Sequence, residues 1–171
     1  VNSEINRLMI AQMLELLPDQ SITQAGTAID LYCGTGNLSL PLAQRFNNVV
    51  GIEGLAELVK GAKENARMNG INNVEFAVAD LNQSLSVANV HKGKEPVDLV
   101  LLDPPRNGAA QIMPWIAKTK ARQIIYISCH PATMIRDAAV LTESGYKLVA
   151  AGVMDMFPHT SHIEAITLFE K

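Results

Sequence analysis

The stretch Thr27–Asn37, Thr-Ala-Ile-Asp-Leu-Tyr-Cys-Gly-Thr-Gly-Asn, constrains this chain more than any other. A short apolar run reaches an acid, breaks at Gly34 and Gly36, and gives way to Leu38-Ser39-Leu40-Pro41-Leu42-Ala43. That order predicts strand, tight turn and helix, with loop amides and a helix N-terminus able to face a nucleotide-like ligand. Gly34 and Gly36 lack the Cβ atoms that would obstruct the turn and the ligand's approach. Glycine pairs are common between strands and helices, so the rest of the chain has to decide.

The remainder repeats the same alternation. Residues Asn2 to Leu17 carry apolar side chains at helical spacing and stop at Pro18. Strands are expected at Thr27–Tyr32, Asn48–Glu53, Val74–Ala79, Val97–Leu102 and Gln123–Ser128. Between them fall a short helix to about Phe46, a helix over Leu55–Asn69 stopped by Gly70, helix and loop over Asn82–Pro96, and a helix over Gln111–Lys120. A helix from Ala132 to about Ser144 precedes two strands, near Tyr146–Met154 and Ile163–Phe169, expected to pair antiparallel across the loop Asp155–His162. The predicted fold is α/β, a doubly wound sheet that is mostly parallel with an antiparallel last strand.

At 171 residues the chain suits one domain, 1–171, with a full core. It is 48% hydrophobic and 18% charged, which excludes a disordered chain, and no apolar run approaches membrane-spanning length. The net charge of −3 gives no support to autonomous nucleic-acid binding, although basic residues such as Lys60, Lys63, Arg106 and Arg136 can still share one face. Cys33 and Cys129 form no metal-binding spacing, and a reducing, cytoplasmic setting is expected.

Polar residues collect at the carboxyl ends of the expected strands: Asp30 to Asn37, Glu53, Asp80, Asp103 and Cys129. Ligands of open α/β sheets bind at that rim. Any single acid there can be a helix cap; all of them together point to a site. A dinucleotide fingerprint needs a further glycine where Ser39 stands. Glu53, ending the second strand, can accept from both hydroxyls of a ribose and would repel a 2′-phosphate.

The glycine loop resembles motif I of class I S-adenosylmethionine (SAM) methyltransferases, and Asp103-Pro104-Pro105-Arg106 looks like motif IV of nucleic-acid methyltransferases. Alone, the latter suggests amino-group methylation, but Arg106 replaces the aromatic residue of those loops. Ser128-Cys129-His130-Pro131 then resembles the Ser-Cys-Asn-Pro signature of RNA uracil-C5 methyltransferases. Asp155-Met156-Phe157-Pro158-His159-Thr160-Ser161-His162-Ile163-Glu164 is similar to the same family's C-terminal signature. The resemblance runs from the glycine loop to Phe169 and is strongest to the branch acting on 23S ribosomal RNA.

That resemblance implies methyl transfer from SAM to C5 of a uridine, with Cys129 as nucleophile at C6 and Glu164 as base. It implies cofactor contacts at Tyr32, Gly34, Gly36, Asn37, Glu53, Asp80 and Asp103, and substrate positioning by Arg106 and His130. A nearby helix N-terminus is expected to favour the Cys129 thiolate, whereas Cys33 is expected to pack. His130 departs from the family's Asn. The implied partner is RNA, ribosomal rather than transfer, with no membrane and a monomeric state. No metal is expected in this chain, and its His159 and His162 are read as shaping their loop. The family's RNA-binding and central domains, and the cysteines of an iron–sulfur centre, belong to sequence outside this chain. Two other readings stay open: an amino-methyltransferase acting on RNA or protein, with Cys129 in the core, and a non-catalytic nucleotide-binding module that takes NAD.

Overall fold

The computed structural model describes residues 3–18, 26–91, 96–154 and 163–171. In chain order the elements are α1 (Ser3–Glu15), β1 (Thr27–Leu31), α2 (Ser39–Leu42), β2 (Asn48–Glu53), α3 (Ala56–Met68), β3 (Val74–Val78) and α4 (Ser84–His91). They continue with β4 (Leu99–Leu102), α5 (Met113–Thr119), β5 (Gln123–Ser128), α6 (Pro131–Glu143), β6 (Lys147–Met154) and β7 (Glu164–Glu170).

The strands form one seven-stranded sheet in the order β3-β2-β1-β4-β5-β7-β6. The first half of the chain winds outward from β1 and the second half restarts at β4, beside β1. The switch in strand order therefore lies between β1 and β4, where Leu31 pairs with Leu102. All pairs from β3 through β5 are parallel, and β7 alone runs against its neighbours, between β5 and β6.

Side-chain alternation builds the core on both faces of the sheet. Ile29, Leu31, Val100, Leu102 and Tyr126 pack on one face with Ile116 and Leu141. Ala28, Leu99, Leu101, Ile125 and Ile127 pack on the other with Met13 and Leu42. Burial on both sides explains why β1, β4 and β5 read as continuous apolar runs instead of alternating ones.

The expected elements are present, with local differences. β4 begins at Leu99, not Val97, because Asp98 turns its carboxylate onto the Thr27 amide at 3.0 Å. The helix after the glycine loop is short, and turns carry the chain on to Phe46. Pro114 is tolerated because it falls in the first turn of α5, where no helical partner is needed for an amide. The Gly70 stop is present, with the Gly70 and Ile71 amides bonded to the Arg67 and Ala66 carbonyls. The loop 155–162, with His159 and His162, lies outside the described residues.

Candidate active site

The end of β1 turns sharply. Tyr32 takes a left-handed backbone (φ 61°), followed by Gly34 (φ 55°) and Gly36 (φ 88°). A Cβ on Gly34 would meet nothing within 4 Å, so its face of the loop is open, whereas one on Gly36 would meet the Phe76 ring at 3.1 Å. Gly34 therefore serves access and Gly36 serves packing onto β3.

Glu53, at the end of β2, fixes this loop. Its Oε2 accepts from the Gly34 amide at 3.1 Å, and its Oε1 accepts from the Gly54 and Leu55 amides at 2.7 and 3.1 Å. A carboxylate has about four acceptor positions, so one remains, on Oε2, for a ligand hydroxyl.

A cavity of about 570 Å³ opens beside the loop, lined by Asp30, Tyr32, Gly34, Asn37 and Asp103 and closed by Ser3 and Asn6 of α1. Of the residues expected to contact a cofactor, Tyr32, Gly34, Asn37 and Asp103 line this cavity. Gly36 faces a separate groove of about 440 Å³ with Asn65 and Asn69, although Asn37 borders both. Glu53 lies off the cavity lining, behind the Gly34 amide that it holds, and so does Asp80. The Asp80 carboxylate is held by the Asn82 amide and the Gln83 side chain, which keep its pKa below the usual carboxylate value. The residues fit a nucleoside cofactor with a free ribose diol: an open glycine turn, a fixed carboxylate and a cavity at the strand switch that combines apolar walls with polar groups.

Two acids beneath the cavity hold their protons unusually well. Burial raises Asp30 to about 7 despite the hydrogen bond from Ser39 Oγ, with Asp103 and Glu53 adding to the rise. Burial and the nearby Glu164 likewise raise Asp103 to about 7.

The second half of the rim places Glu164, Asp103 and Arg106 within electrostatic reach of Cys129. Cys129 follows β5 and is partly exposed. Burial pushes its thiol up, Glu164 and Asp103 push it further, and its own backbone contact and Arg106 oppose this only in part. Burial and the two carboxylates thus oppose the thiolate stabilisation expected from the start of α6 at Pro131. Glu164 is itself raised by burial. Among the described residues, its Oε2 and His130 Nδ1 are buried without a hydrogen-bond partner. Cys33 packs with Val59, Ala62, Ala66 and Phe76, as expected of a core thiol.

Sequence reasoning missed Asn6, whose side chain bonds with Asn37 in both directions. No local pattern marks a contact between residues so far apart. Asp30 was visible only as one of the rim acids; its place inside an apolar strand was the available signal. Among the described residues no three His, Cys, Asp or Glu side chains converge as metal ligands, and no helix is long and apolar enough to cross a membrane.

This fold is the class I SAM-dependent methyltransferase fold. It superposes with a TM-score of 0.80 on the crystal structure of Pyrococcus abyssi tRNA (uracil-54, C5)-methyltransferase in complex with S-adenosyl-L-homocysteine. That match is 26% identical and covers 99% of this chain and 39% of the other. The magnesium protoporphyrin IX methyltransferase (ChlM) of Synechocystis PCC 6803, with bound SAM, shares the fold at 19% identity and a TM-score of 0.70, over 98% of this chain and 78% of that one. The family model described as tRNA (Uracil-5-)-methyltransferase matches residues 2–171, and the chain belongs to that family. The 23S rRNA (uracil(1939)-C(5))-methyltransferase RlmD of Hahella chejuensis is 49% identical over 173 residues, covering 100% of this chain and 38% of that protein. The protein of the same name from Shewanella sp. (strain ANA-3) is 49% identical over 170 residues, covering 99% of this chain and 36% of its own length. The chain therefore spans less than two fifths of these relatives.

Proposed function

We propose that this chain is the catalytic domain, 1–171, of a SAM-dependent methyltransferase acting on C5 of a uridine in 23S ribosomal RNA. The observation that carries the reading is the placement of Asp103, which lines the cavity of the glycine loop and lies, with Glu164 and Arg106, within electrostatic reach of Cys129. The relatives' names supply the RNA and the position on the base. An RNA substrate of this kind also supports a cytoplasmic setting.

Tyr32, Gly34, Asn37, Glu53 and Asp103 hold SAM in this reading, with Gly36 shaping the loop and Asp80 acting from the rim. SAM, when bound, supplies an electrophilic methyl group. The chain's residues solve the other half of the problem, since uracil C5 is a poor nucleophile. The Cys129 sulfur adds to C6 and the electron pair moves through the ring to O4, making C5 electron-rich. After methylation Glu164 removes the C5 proton, the C5–C6 double bond re-forms and sulfur leaves. Because burial and carboxylates favour the resting thiol, attack requires a proton acceptor within reach, and Asp103 is the acid there that the later step does not use. Arg106 and His130 position the base.

An amino-methyltransferase would leave Cys129 without a task. The test uses the full-length protein with ribosomal RNA and maps the new methyl group by mass spectrometry. A 5-methyluridine absent with Cys129→Ala supports the reading; methylation on an exocyclic nitrogen, or unchanged by Cys129→Ala, overturns it.

A further inference from the structure

Behind the rim lies a buried carboxylate that the reaction above does not use. Asp137, at the middle of α6, is 1% exposed and receives donors from three segments. Its Oδ2 accepts from the Ala109 amide at 2.6 Å and from the Tyr126 hydroxyl of β5 at 2.8 Å. Its Oδ1 accepts from Arg136 Nη2 and Nε at 2.7 and 2.9 Å, and the same Nη2 reaches the Asn107 carbonyl at 3.0 Å. Thr133 Oγ1 stands 3.2 Å from the Arg106 carbonyl and 2.9 Å from that of His130. The loop from Asp103 to Ala109 is thus fastened to α6 at Arg106, Asn107 and Ala109, by residues of a single helix. Gly108 lets this happen: its φ is 79°, and a Cβ there would stand 2.5 Å from Asp137 Oδ2.

A buried carboxylate is costly unless its acceptor capacity is filled, and here both oxygens are occupied. Stability alone does not require that arrangement, because an apolar side chain could fill the same space without the desolvation cost. What the arrangement does fix is the register between two functional segments. One is the loop that carries Asp103 and Arg106; the other is the start of α6, which carries Cys129 and His130 just before it.

We infer that Asp137 is a positioning residue for methyl transfer, which through Tyr126, Arg136 and the Ala109 amide sets the Asp103–Ala109 loop against the nucleophile. The inference rests on the proposed reaction. Tyr126→Phe removes one donor from the carboxylate and leaves a ring of the same shape in the core. Asp137→Asn keeps the shape and an acceptor but removes the charge that Arg136 meets.

The experiment uses full-length protein under single-turnover conditions with saturating SAM and RNA carrying 5-fluorouridine at the target. It follows the rate of the protein–RNA adduct, the SAM affinity and the melting temperature. In both variants adduct formation is expected to slow by about tenfold or more, since small misplacements of reacting groups cost up to about a hundredfold. SAM affinity is expected to stay within about twofold, because Asp137 does not line the cofactor cavity. The slowing should persist well below the melting transition of each variant, which a merely structural role would not produce. A wild-type adduct rate retained by folded Tyr126→Phe and Asp137→Asn overturns the inference while leaving the reaction standing. No adduct with the wild-type protein overturns the reaction, and the inference with it.

Discussion

Asn6 of α1 and Asn37 of the glycine loop exchange side-chain hydrogen bonds in both directions, at 3.0 and 2.8 Å. The pair holds Asn37 at the cavity edge before any ligand arrives, and it makes α1 part of the site. The two residues should therefore act as one unit. Asn6→Ala and Asn37→Ala are each expected to weaken SAM by about 1 kcal/mol, and the double variant by little more than either single one. Calorimetric titration of the four proteins checks this, and additive losses would show that the residues act separately.

Glu53 leads to a prediction about cofactor choice. Three backbone amides orient its carboxylate, so its remaining lone pair is fixed before a ribose binds. Glu53→Ala is expected to weaken SAM by about 1–3 kcal/mol, the range for hydrogen bonds to a charged group. The wild-type protein should prefer SAM to NAD in thermal-shift titrations. Equal SAM affinity in variant and wild type would remove Glu53 from the site.

Asp30 makes stability depend on pH. Its pKa is raised from 3.8 to about 7 in the folded protein. Between those values the folded chain keeps a proton that the unfolded chain releases, so stability is lost as pH rises across that window. The slope is at most about 1.4 kcal/mol per pH unit for one group. Asp30→Asn should flatten the profile between pH 5 and pH 7, while Asp103, raised over a similar range, keeps a residual slope. Urea melts at several pH values provide the check; an unchanged slope in Asp30→Asn would assign the pH dependence elsewhere.

The sequence carried those parts of the fold and site that depend on neighbouring residues. β2 spans Asn48–Glu53 as its apolar run and terminal acid required, and the glycine loop turns where Gly34 and Gly36 stand. Parallel strands buried on both faces announce themselves as apolar runs, and their ends collect at one rim by topology alone. What could not be read depends on distant partners. The insertion of β7 between β5 and β6 leaves no local trace, because either antiparallel order satisfies the same alternation. Asp137 looks in sequence like an ordinary helical surface acid following Arg136. Only the folded chain shows it buried against Tyr126 and Ala109. The charges around Cys129 are hidden from the sequence for the same reason, since Glu164 and Asp103 come from other segments.

That electrostatic arrangement gives a direct test on the thiol. Glu164 and Asp103 both raise the Cys129 pKa, so removing either negative charge should lower it. In a Cys33→Ser background, Glu164→Gln and Asp103→Asn should each shift the pH profile of Cys129 alkylation by iodoacetamide to lower pH. The thiolate fraction at a given pH then rises, and this outweighs the loss of intrinsic nucleophilicity that accompanies a lower pKa. Profiles that stay in place, or move to higher pH, would place the carboxylates too far from the sulfur to act on it.

The last prediction separates attack from release. Cys129 and Glu164 stand on different strand ends, and the proposed roles are sequential: sulfur adds first, and the carboxylate acts only after C5 carries its methyl group. Glu164→Gln should therefore attack and methylate, then stall with protein joined to RNA through Cys129, because nothing removes the C5 proton. The same variant loses a negative charge beside the thiol, so its adduct should form at least as fast as the wild-type protein's adduct with 5-fluorouridine RNA. Cys129→Ala should form no adduct with either RNA. Denaturing electrophoresis of the full-length protein with labelled RNA reads all of these outcomes. Normal turnover by Glu164→Gln would pass the proton to another base, with Asp103 the acid next in reach of the same sulfur.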